Sequence, residues 1–166
     1  MRYNELTFQG RNAVLEAFRS GKTIDKLFIL DGCQDGPIKS IVREAKKTDA
    51  IINYVDKERL DRLAGTGHHQ GVVAIGAAYE YAEVDDILAS AKEKGEDPFI
   101  FILDEIEDPH NLGAIIRTAN LAGAHGVIIP KRRAVGLTAT VAKTSAGAIN
   151  YTPVAKVTNI SQTIEE

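Results

Sequence analysis

The feature that most constrains the fold is an alternation of short apolar segments with segments at helical spacing. FIFILD (99–104) and GVIIP (126–130) are apolar, and the residues between them, from about 111 to 123, repeat with the period of a helix. A near-continuous apolar run such as FIFILD is typical of a strand buried on both faces of a parallel sheet. The pattern therefore predicts a strand–helix–strand unit with two parallel strands.

The first half of the chain alternates in the same way. Strands are predicted at KLFIL (26–30), IINYV (51–55) and GVVAIGA (71–77), with helices before and between them. This alternation indicates an α/β protein. We expect a small α/β domain at residues 1–78, a linker and first helix at 79–98, and the beginning of a second domain at 99–166.

The final residues, VTNISQTIEE, have the pattern of a helix start. Asn159 is a suitable cap, and Gln162 follows it at the spacing of a capping box. The helix would have about seven residues, against a usual length of ~11–12. We therefore expect the chain to be cut within its second domain.

Charge is unevenly distributed along the chain. Between Pro109 and Ile164 there is no Asp or Glu but there are six Lys and Arg residues, although the whole chain has a net charge of −3. A local excess of positive charge indicates a polyanionic partner. The alternative interpretation is a solvated face with chance spacing.

Cysteine content and hydropathy exclude several classes of protein. Cys33 is the single cysteine, so the chain is not a disulfide scaffold. No apolar run is long enough to span a membrane, and the first residues lack the apolar core of a signal peptide. We expect a cytoplasmic protein.

The predicted helix at 111–123 has two distinct faces. Its apolar face is formed by Leu112, Ile115, Ile116, Ala119 and Ala122, and the opposite side carries Gly113, Arg117 and Asn120. A glycine is costly inside a helix, so one placed a turn before an arginine suggests that a partner packs closely there. Arg117 would then donate two hydrogen bonds to a phosphate. The alternative is an ordinary solvent-facing arginine with a packing glycine.

The residues around this helix resemble a known signature. Asn111, Gly113 and Arg117 match N-x-G-x-x-x-R, the first motif of the SpoU (TrmH) family of SPOUT RNA methyltransferases. GRNAVLEAF with HHQGVVA resembles the family's substrate-binding domain, which is folded like ribosomal protein L30e. KTSAGAINYTPVAKVTN resembles the segment that follows the first motif. The RlmB-like enzymes, which methylate a guanosine 2′-hydroxyl of 23S ribosomal RNA, are the most similar subgroup.

The resemblance implies a fold and a reaction. The fold would be an L30e-like α/β domain followed by the first half of a SPOUT (α/β knot) methyltransferase domain. The family implies a homodimer, ribosomal RNA as substrate and S-adenosylmethionine as methyl donor. Its two later motifs, L-G-x-E-G and S-L-N-V-S, are not in this sequence. We therefore expect this chain to lack the knot and the cofactor-binding residues, and to be inactive alone.

The resemblance also implies roles for particular residues. Arg117 and Asn111 would be catalytic. Because a guanidinium rarely loses its proton, we favour an Arg117 that holds the phosphate and stabilises charge on the 2′-oxygen over one that acts as a base. The expected RNA contacts of the second domain are Glu105, His110, Gly113, Asn120, Lys131, Arg132 and Arg133. Those of the first domain are Arg11, Asn12, His68, His69 and Gln70.

Other interpretations remain for parts of the sequence. Lys131, Arg132 and Arg133 could form a solvated loop. The pair His68–His69 lacks the spacing of a metal site, and we expect no bound metal. GTGHHQG has a misplaced third glycine and precedes a strand, so it is a turn and not a dinucleotide loop. A non-catalytic RNA-binding module remains an alternative function, and a Rossmann-like nucleotide-binding protein is a weaker one.

Overall fold

The computed structural model describes residues 6–166, which form two compact units, residues 6–77 and 78–166. The first unit contains, in order, β1 (Leu6–Gln9), α1 (Arg11–Arg19), β2 (Ile24–Leu30), α2 (Gly36–Ala45), β3 (Ile51–Val55), α3 (Lys57–Ala64) and β4 (Val72–Gly76). The strands form one sheet in the order β1-β4-β2-β3. β2 and β3 are parallel, whereas β4 runs antiparallel to β1 and to β2.

Alternation along β2 determines which helix packs on each face of this sheet. Leu27 and Ile29 are fully buried beneath α1 and α2, where Ile41 lies in the same core. Phe28 points to the other face and packs with Leu60 of α3. Successive strand residues point to opposite faces, so an apolar run such as this one is covered by helices on both sides.

The second unit contains, in order, α4 (Val84–Lys94), β5 (Ile100–Ile102), α5 (Pro109–Leu121), β6 (Gly126–Pro130), α6 (Ala139–Thr144), a 3-10 helix (Ala148–Asn150), β7 (Val154–Val157) and α7 (Ile160–Glu165). Its three strands are parallel in the order β5-β6-β7. Val127 and Ile129 pack against α5 and α6, and Ile128 packs against α4 on the opposite face.

One close contact holds α4 against the sheet. A Cβ built on Gly126, at the start of β6, would lie 2.6 Å from Cδ1 of Ile87. Ile87 is fully buried. The glycine therefore permits α4 to approach the strand more closely than any side chain at position 126 would allow.

The α/β class and the parallel strand–helix–strand unit are confirmed. The expectation that FIFILD is buried on both faces is wrong. β5 is an edge strand of the three-stranded sheet, and Phe99 and Ile102 are 47% and 41% exposed. The fully buried strand is β6, because it is the central one. Within residues 6–166, no helix is both long enough and apolar enough to cross a membrane.

Candidate functional site

The beginning of α5 is fixed by local hydrogen bonding. The Asp108 carboxylate accepts a bond of 2.7 Å from the backbone N–H of His110, and Pro109 occupies the first turn. Both features favour a helix start at this position. His110 and Asn111 follow at the helix N-terminus with exposed side chains. They therefore face solvent beside backbone N–H groups that attract anions.

Arg117 lies two turns further along α5, on the exposed side of the helix. It makes no ion pair and no hydrogen bond through its side chain with any of residues 6–166. No carboxylate in the described part of the chain holds the guanidinium against the protein. Its five N–H donors are thus available to an external acceptor such as a phosphate.

The helical pattern predicted that Gly113 lies on the exposed face of α5, but the structure places it elsewhere. It is buried where α6 crosses α5, and a Cβ at this position would be 1.8 Å from Oγ1 of Thr144. The Thr144 hydroxyl donates to the carbonyl of Thr140 at 2.9 Å and lies 3.3 Å from the carbonyl oxygen of Pro109. Gly113 is therefore a helix-packing residue, and its predicted exposed position is wrong. The glycine brings α6 against the helix one turn before Arg117.

Asn120 also has a role within the protein. Its side-chain oxygen accepts a hydrogen bond of 3.2 Å from the hydroxyl of Thr152, which is 1% exposed. Asn120 itself is half-buried. Its oxygen thus holds the segment between the 3-10 helix and β7 and is not directed at a ligand.

Two loops meet at the carboxyl ends of β5 and β6. Glu105 and Arg133 form an ion pair of 2.8 Å, and Val135 donates a backbone bond of 2.7 Å to Ile106. Glu105 and Arg133 have positive φ angles of 52° and 55°, an uncommon conformation for residues other than glycine. Arg132 is exposed. Arg133 therefore lies beside a carboxylate, whereas the side chain of Arg132 is open to solvent.

Lys131 differs from the two arginines that follow it. Its backbone N–H donates to the carbonyl of Val157 at 2.8 Å, which continues the pairing of β6 with β7. The residue is half-buried and has a side-chain interaction of its own. The KRR segment therefore begins as part of the sheet and becomes a loop only at Arg132.

In the first unit, Arg11 is held by two neighbouring loops. Its backbone N–H donates to the side-chain oxygen of Gln70 at 3.0 Å, and its Nε donates to the Gln70 carbonyl at 3.2 Å. Its Nη2 forms an ion pair with Asp35. Asn12 follows with an exposed side chain. Arg11 and Gln70 thus form a fixed platform at the start of α1, and Asn12 is the freer of the predicted contacts.

The two adjacent histidines have opposite environments. His68 is exposed, whereas His69 is 4% exposed and bonded through both ring nitrogens. Its Nδ1 accepts from the N–H of Gly71 at 3.0 Å, and its Nε2 lies 2.7 Å from Asp61. Nδ1 is therefore unprotonated and Nε2 donates to the carboxylate. The ring ties α3 to the turn before β4, so it has no ring nitrogen left for the predicted contact with RNA.

Two family models match successive parts of the chain. "RNA 2'-O ribose methyltransferase substrate binding" matches residues 9–82, and "SpoU rRNA Methylase family" matches residues 98–166. The second match contains Asn111, Gly113 and Arg117. The chain belongs to the SpoU family. This membership confirms the resemblance carried by the N-x-G-x-x-x-R motif.

Curated SpoU relatives align along most of the chain. "Putative TrmH family tRNA/rRNA methyltransferase YacO" of Bacillus subtilis is 55% identical over 157 residues, which are 95% of this chain and 63% of that protein. A TrmH family relative from Staphylococcus haemolyticus is 49% identical over 162 residues, which are 98% of this chain and 65% of that protein. The chain thus spans less than two thirds of the length of either relative.

Solved structures that align with the chain share a lower sequence identity with it than these relatives do. The SpoU methyltransferase AviRb from Streptomyces viridochromogenes, in complex with AdoMet, has 21% identity and a TM-score of 0.45, covering 99% of this chain and 58% of that one. An AdoMet-bound rRNA methyltransferase from Sinorhizobium meliloti has 23% identity and a TM-score of 0.44, covering 96% and 57%.

Three residues of the SpoU chain have roles that the sequence analysis missed. Thr144 packs on Gly113, Asp35 holds Arg11, and Asp61 accepts from His69. Asp35 had a visible signal, because it precedes Gly36 and Pro37 and caps α2 by accepting from the N–H of Ile38. Within the described chain, no group of three or more His, Cys, Asp or Glu residues is arranged to hold a metal ion.

Proposed function

We propose that this SpoU chain provides the RNA-binding and acceptor-positioning residues of an enzyme that methylates a ribose 2′-hydroxyl of ribosomal RNA. S-adenosylmethionine is the proposed methyl donor, a guanosine of 23S ribosomal RNA is the proposed target, and the cytoplasm is the proposed location. The proposal rests on family membership and on one structural observation. Arg117 of the family motif is exposed and free of carboxylates among the residues described.

Arg117 is suited to hold the acceptor in place. A planar guanidinium can donate two parallel hydrogen bonds to a phosphate, and this fixes the orientation of the attached ribose. Transfer requires the 2′-oxygen to be held in line with the methyl group, and such positioning supplies a large part of the rate of many enzymes. The same positive charge stabilises negative charge that develops on the 2′-oxygen as its proton leaves.

Asn111 and the loop cations have supporting roles in the proposal. Asn111 lies with an exposed amide at the N-terminus of α5 and can bond to the RNA backbone. Arg132 and Arg133 lie at the carboxyl end of β6, the edge at which α/β sheets place their ligands. Their contribution should weaken as salt concentration rises, because phosphate binding releases counterions.

The described residues do not fit a site for S-adenosylmethionine. At the carboxyl ends of β5 and β6, the two loops are joined to each other by the Glu105–Arg133 ion pair and by the hydrogen bond from Val135 to Ile106. The turn after β5, LDEIED, contains no glycine that would let a ligand approach the backbone. We therefore assign no cofactor contact to residues 6–166 and derive no step from the donor.

A homodimer is also part of the proposal. Leu121 and Tyr151 are 82% and 80% exposed, more than the other large hydrophobic side chains described. Exposed apolar side chains of this size are common where proteins associate. Sedimentation of the complete gene product would test this assembly directly.

The test of function is a methyl-transfer assay with the complete gene product, methyl-labelled S-adenosylmethionine and ribosomal RNA from cells that lack the gene. The proposal expects label in a ribose-methylated guanosine after digestion of the RNA to nucleosides. RNA binding without any transfer would favour the alternative, a non-catalytic RNA-binding module. Label on a base would contradict the proposed acceptor.

A further inference from the structure

The first unit has a cationic groove at the edge of its sheet, on the face covered by α1 and α2. We call it the α2–β3 groove and define it by Ile38, Lys39, Val42, Arg43, Lys46 and Tyr54. Its volume is about 420 Å³, within the range of sites that hold a small ligand or one unit of a polymer. None of these residues belongs to the motif that carries the proposed function.

The cations of the groove form a single row along α2. Lys39, Arg43 and Lys46 recur every three or four residues, so they share one side of the helix. All three are exposed, and none has an ion-pair partner among residues 6–166. The row ends at Lys46, the residue that follows the end of α2, and Val42 lines the groove beside the cations.

Some other cations of this unit are paired with carboxylates. Lys47 pairs with Glu44 at 2.9 Å, and Arg62 pairs with Glu58 at 2.8 Å. No carboxylate among residues 6–166 lines the groove, although the chain as a whole has a net charge of −3. The positive charge of the groove is therefore not a consequence of a basic composition, and it is available to an anion.

Tyr54 gives the groove an aromatic wall. Ile52 of β3 packs into the core beneath α1 and α2, and Tyr54, two residues later, points to the same face. The order β1-β4-β2-β3 makes β3 an edge strand, so this ring projects beyond the covered part of the sheet. It is 57% exposed and makes no hydrogen bond to any residue described.

We propose that the α2–β3 groove binds unpaired nucleotides of the RNA substrate, with a base stacked on Tyr54 and successive phosphates on Lys39, Arg43 and Lys46. An aromatic face beside a row of cations is the arrangement that recognises single-stranded nucleic acid. A base in a duplex is already stacked on its neighbours and cannot reach the ring. The inference rests on the proposed function, because it takes RNA to be the substrate.

The test measures RNA binding by this chain with fluorescence anisotropy, using labelled dodecauridylate and an RNA duplex of the same length. Tyr54→Ala should weaken binding of the single strand about tenfold, and Tyr54→Phe should retain it, because stacking needs the ring and not the hydroxyl. The single strand should bind more tightly than the duplex. Thermal unfolding of the variants should match that of the parent chain, because Tyr54 is largely exposed.

A matched charge control accompanies these variants. Log affinity falls as log salt concentration rises, and each phosphate contact on a single strand contributes about 0.7 to the steepness of this fall. The groove variant Lys39→Gln, Arg43→Gln, Lys46→Gln should therefore make the slope shallower by about 2. The control variant Lys22→Gln, Lys57→Gln, Arg59→Gln removes the same charge from exposed positions outside the groove. The control variant should make the slope shallower by less than half as much.

Several results would overturn the proposal. These are unchanged binding by Tyr54→Ala, equal effects of the two triple variants, or no saturable binding of the single strand. Equal, Tyr54-dependent binding of polyglutamate would point instead to an acidic protein as the partner. None of these measurements uses methyl transfer. If Tyr54 governs RNA binding and the complete gene product transfers no methyl group, the groove proposal stands and the proposed enzymatic function fails.

Discussion

The hydroxyl oxygen of Thr144 occupies the space that a side chain on Gly113 would need, at 1.8 Å from the position of its Cβ. This contact explains why a residue that is costly inside a helix lies in the family motif one turn before Arg117. Gly113 permits α5 and α6 to pack closely, whereas Arg117 is exposed and available to a ligand. The motif thus combines a packing requirement with an exposed charge.

Gly113→Ala should lower the free energy of unfolding by about 1–3 kcal/mol, because overpacking outweighs the ~1 kcal/mol gain in helix propensity. Urea unfolding of this chain measures the effect. Gly36→Ala is the control, since a Cβ at this position in α2 meets no atom within 4 Å. Thr144→Ala should recover part of the loss when it is combined with Gly113→Ala. If Gly113→Ala is as harmless as Gly36→Ala, the close approach of the two helices is contradicted.

The two histidines provide a second pair of matched variants. His69→Ala should destabilise the chain by about 1–3 kcal/mol, because it leaves the N–H of Gly71 without its acceptor and removes the partner of Asp61. His68→Ala should change stability by no more than about 0.5 kcal/mol, as is usual for an exposed site.

RNA affinity should show the opposite order for these histidines. His68→Ala should weaken binding of ribosomal RNA in a filter-binding assay, since its side chain remains a proposed contact. A stable His69→Ala chain, measured well below its unfolding temperature, should bind as the parent does. A larger loss of stability in His68→Ala than in His69→Ala, or a larger loss of RNA affinity in His69→Ala than in His68→Ala, would contradict the roles assigned to the two residues.

The Glu105–Arg133 pair predicts a gain of function. Glu105→Gln should strengthen RNA binding about two- to fivefold at low salt, because it removes a negative charge beside the proposed phosphate contacts and frees the arginine. Stability should change by less than about 1 kcal/mol, since both side chains are mostly exposed. Glu93→Gln on α4 removes one charge elsewhere and should leave affinity unchanged. Weaker binding by Glu105→Gln would instead indicate that the pair shapes the loop for RNA.

The sequence predicted the parts of the fold that depend on local interactions. Asn159 was predicted as a helix cap from the spacing of residues, and its side chain accepts from the N–H of Gln162. Asp56 and Asp108 cap their helices through similar local bonds. β1 and β7 were not predicted. Each has four residues and is stabilised by pairing with another strand. β1 pairs with β4, which is distant in sequence, and β7 pairs with β6, which other elements cover on both faces. Such short strands carry too little periodicity to be recognised.

The candidate site was predicted only in part, for a related reason. The helical pattern placed Arg117 on the exposed side correctly, because that face needs no partner. It misplaced Gly113, which lies at the margin of the apolar arc where a second helix packs. His69 was misjudged because its partner Asp61 belongs to another element. Contacts between elements decide these positions, and a single helix or turn does not reveal them.

The absence of a cofactor fit can be measured on this chain. Titration of residues 1–166 with S-adenosylmethionine in a calorimeter should give no heat beyond dilution, because the loops at the carboxyl ends of β5 and β6 are bonded to each other and the turn after β5 contains no glycine. Titration of the same sample with ribosomal RNA should give a binding isotherm and so show that the protein is competent. Micromolar affinity for the donor would contradict our assignment of no cofactor contacts to residues 6–166.

Substitution of Arg117 in the complete gene product tests the central claim most directly, with methyl transfer and RNA affinity measured on the same preparations. We predict that Arg117→Ala lowers the rate of transfer by at least about a hundredfold and leaves RNA affinity within a few-fold of the parent. Arg117→Lys should recover only part of the rate, because an ammonium group lacks the two-pronged geometry. Arg59→Ala, which removes an exposed arginine from α3, should transfer at the parental rate. Parental turnover by Arg117→Ala would contradict the account.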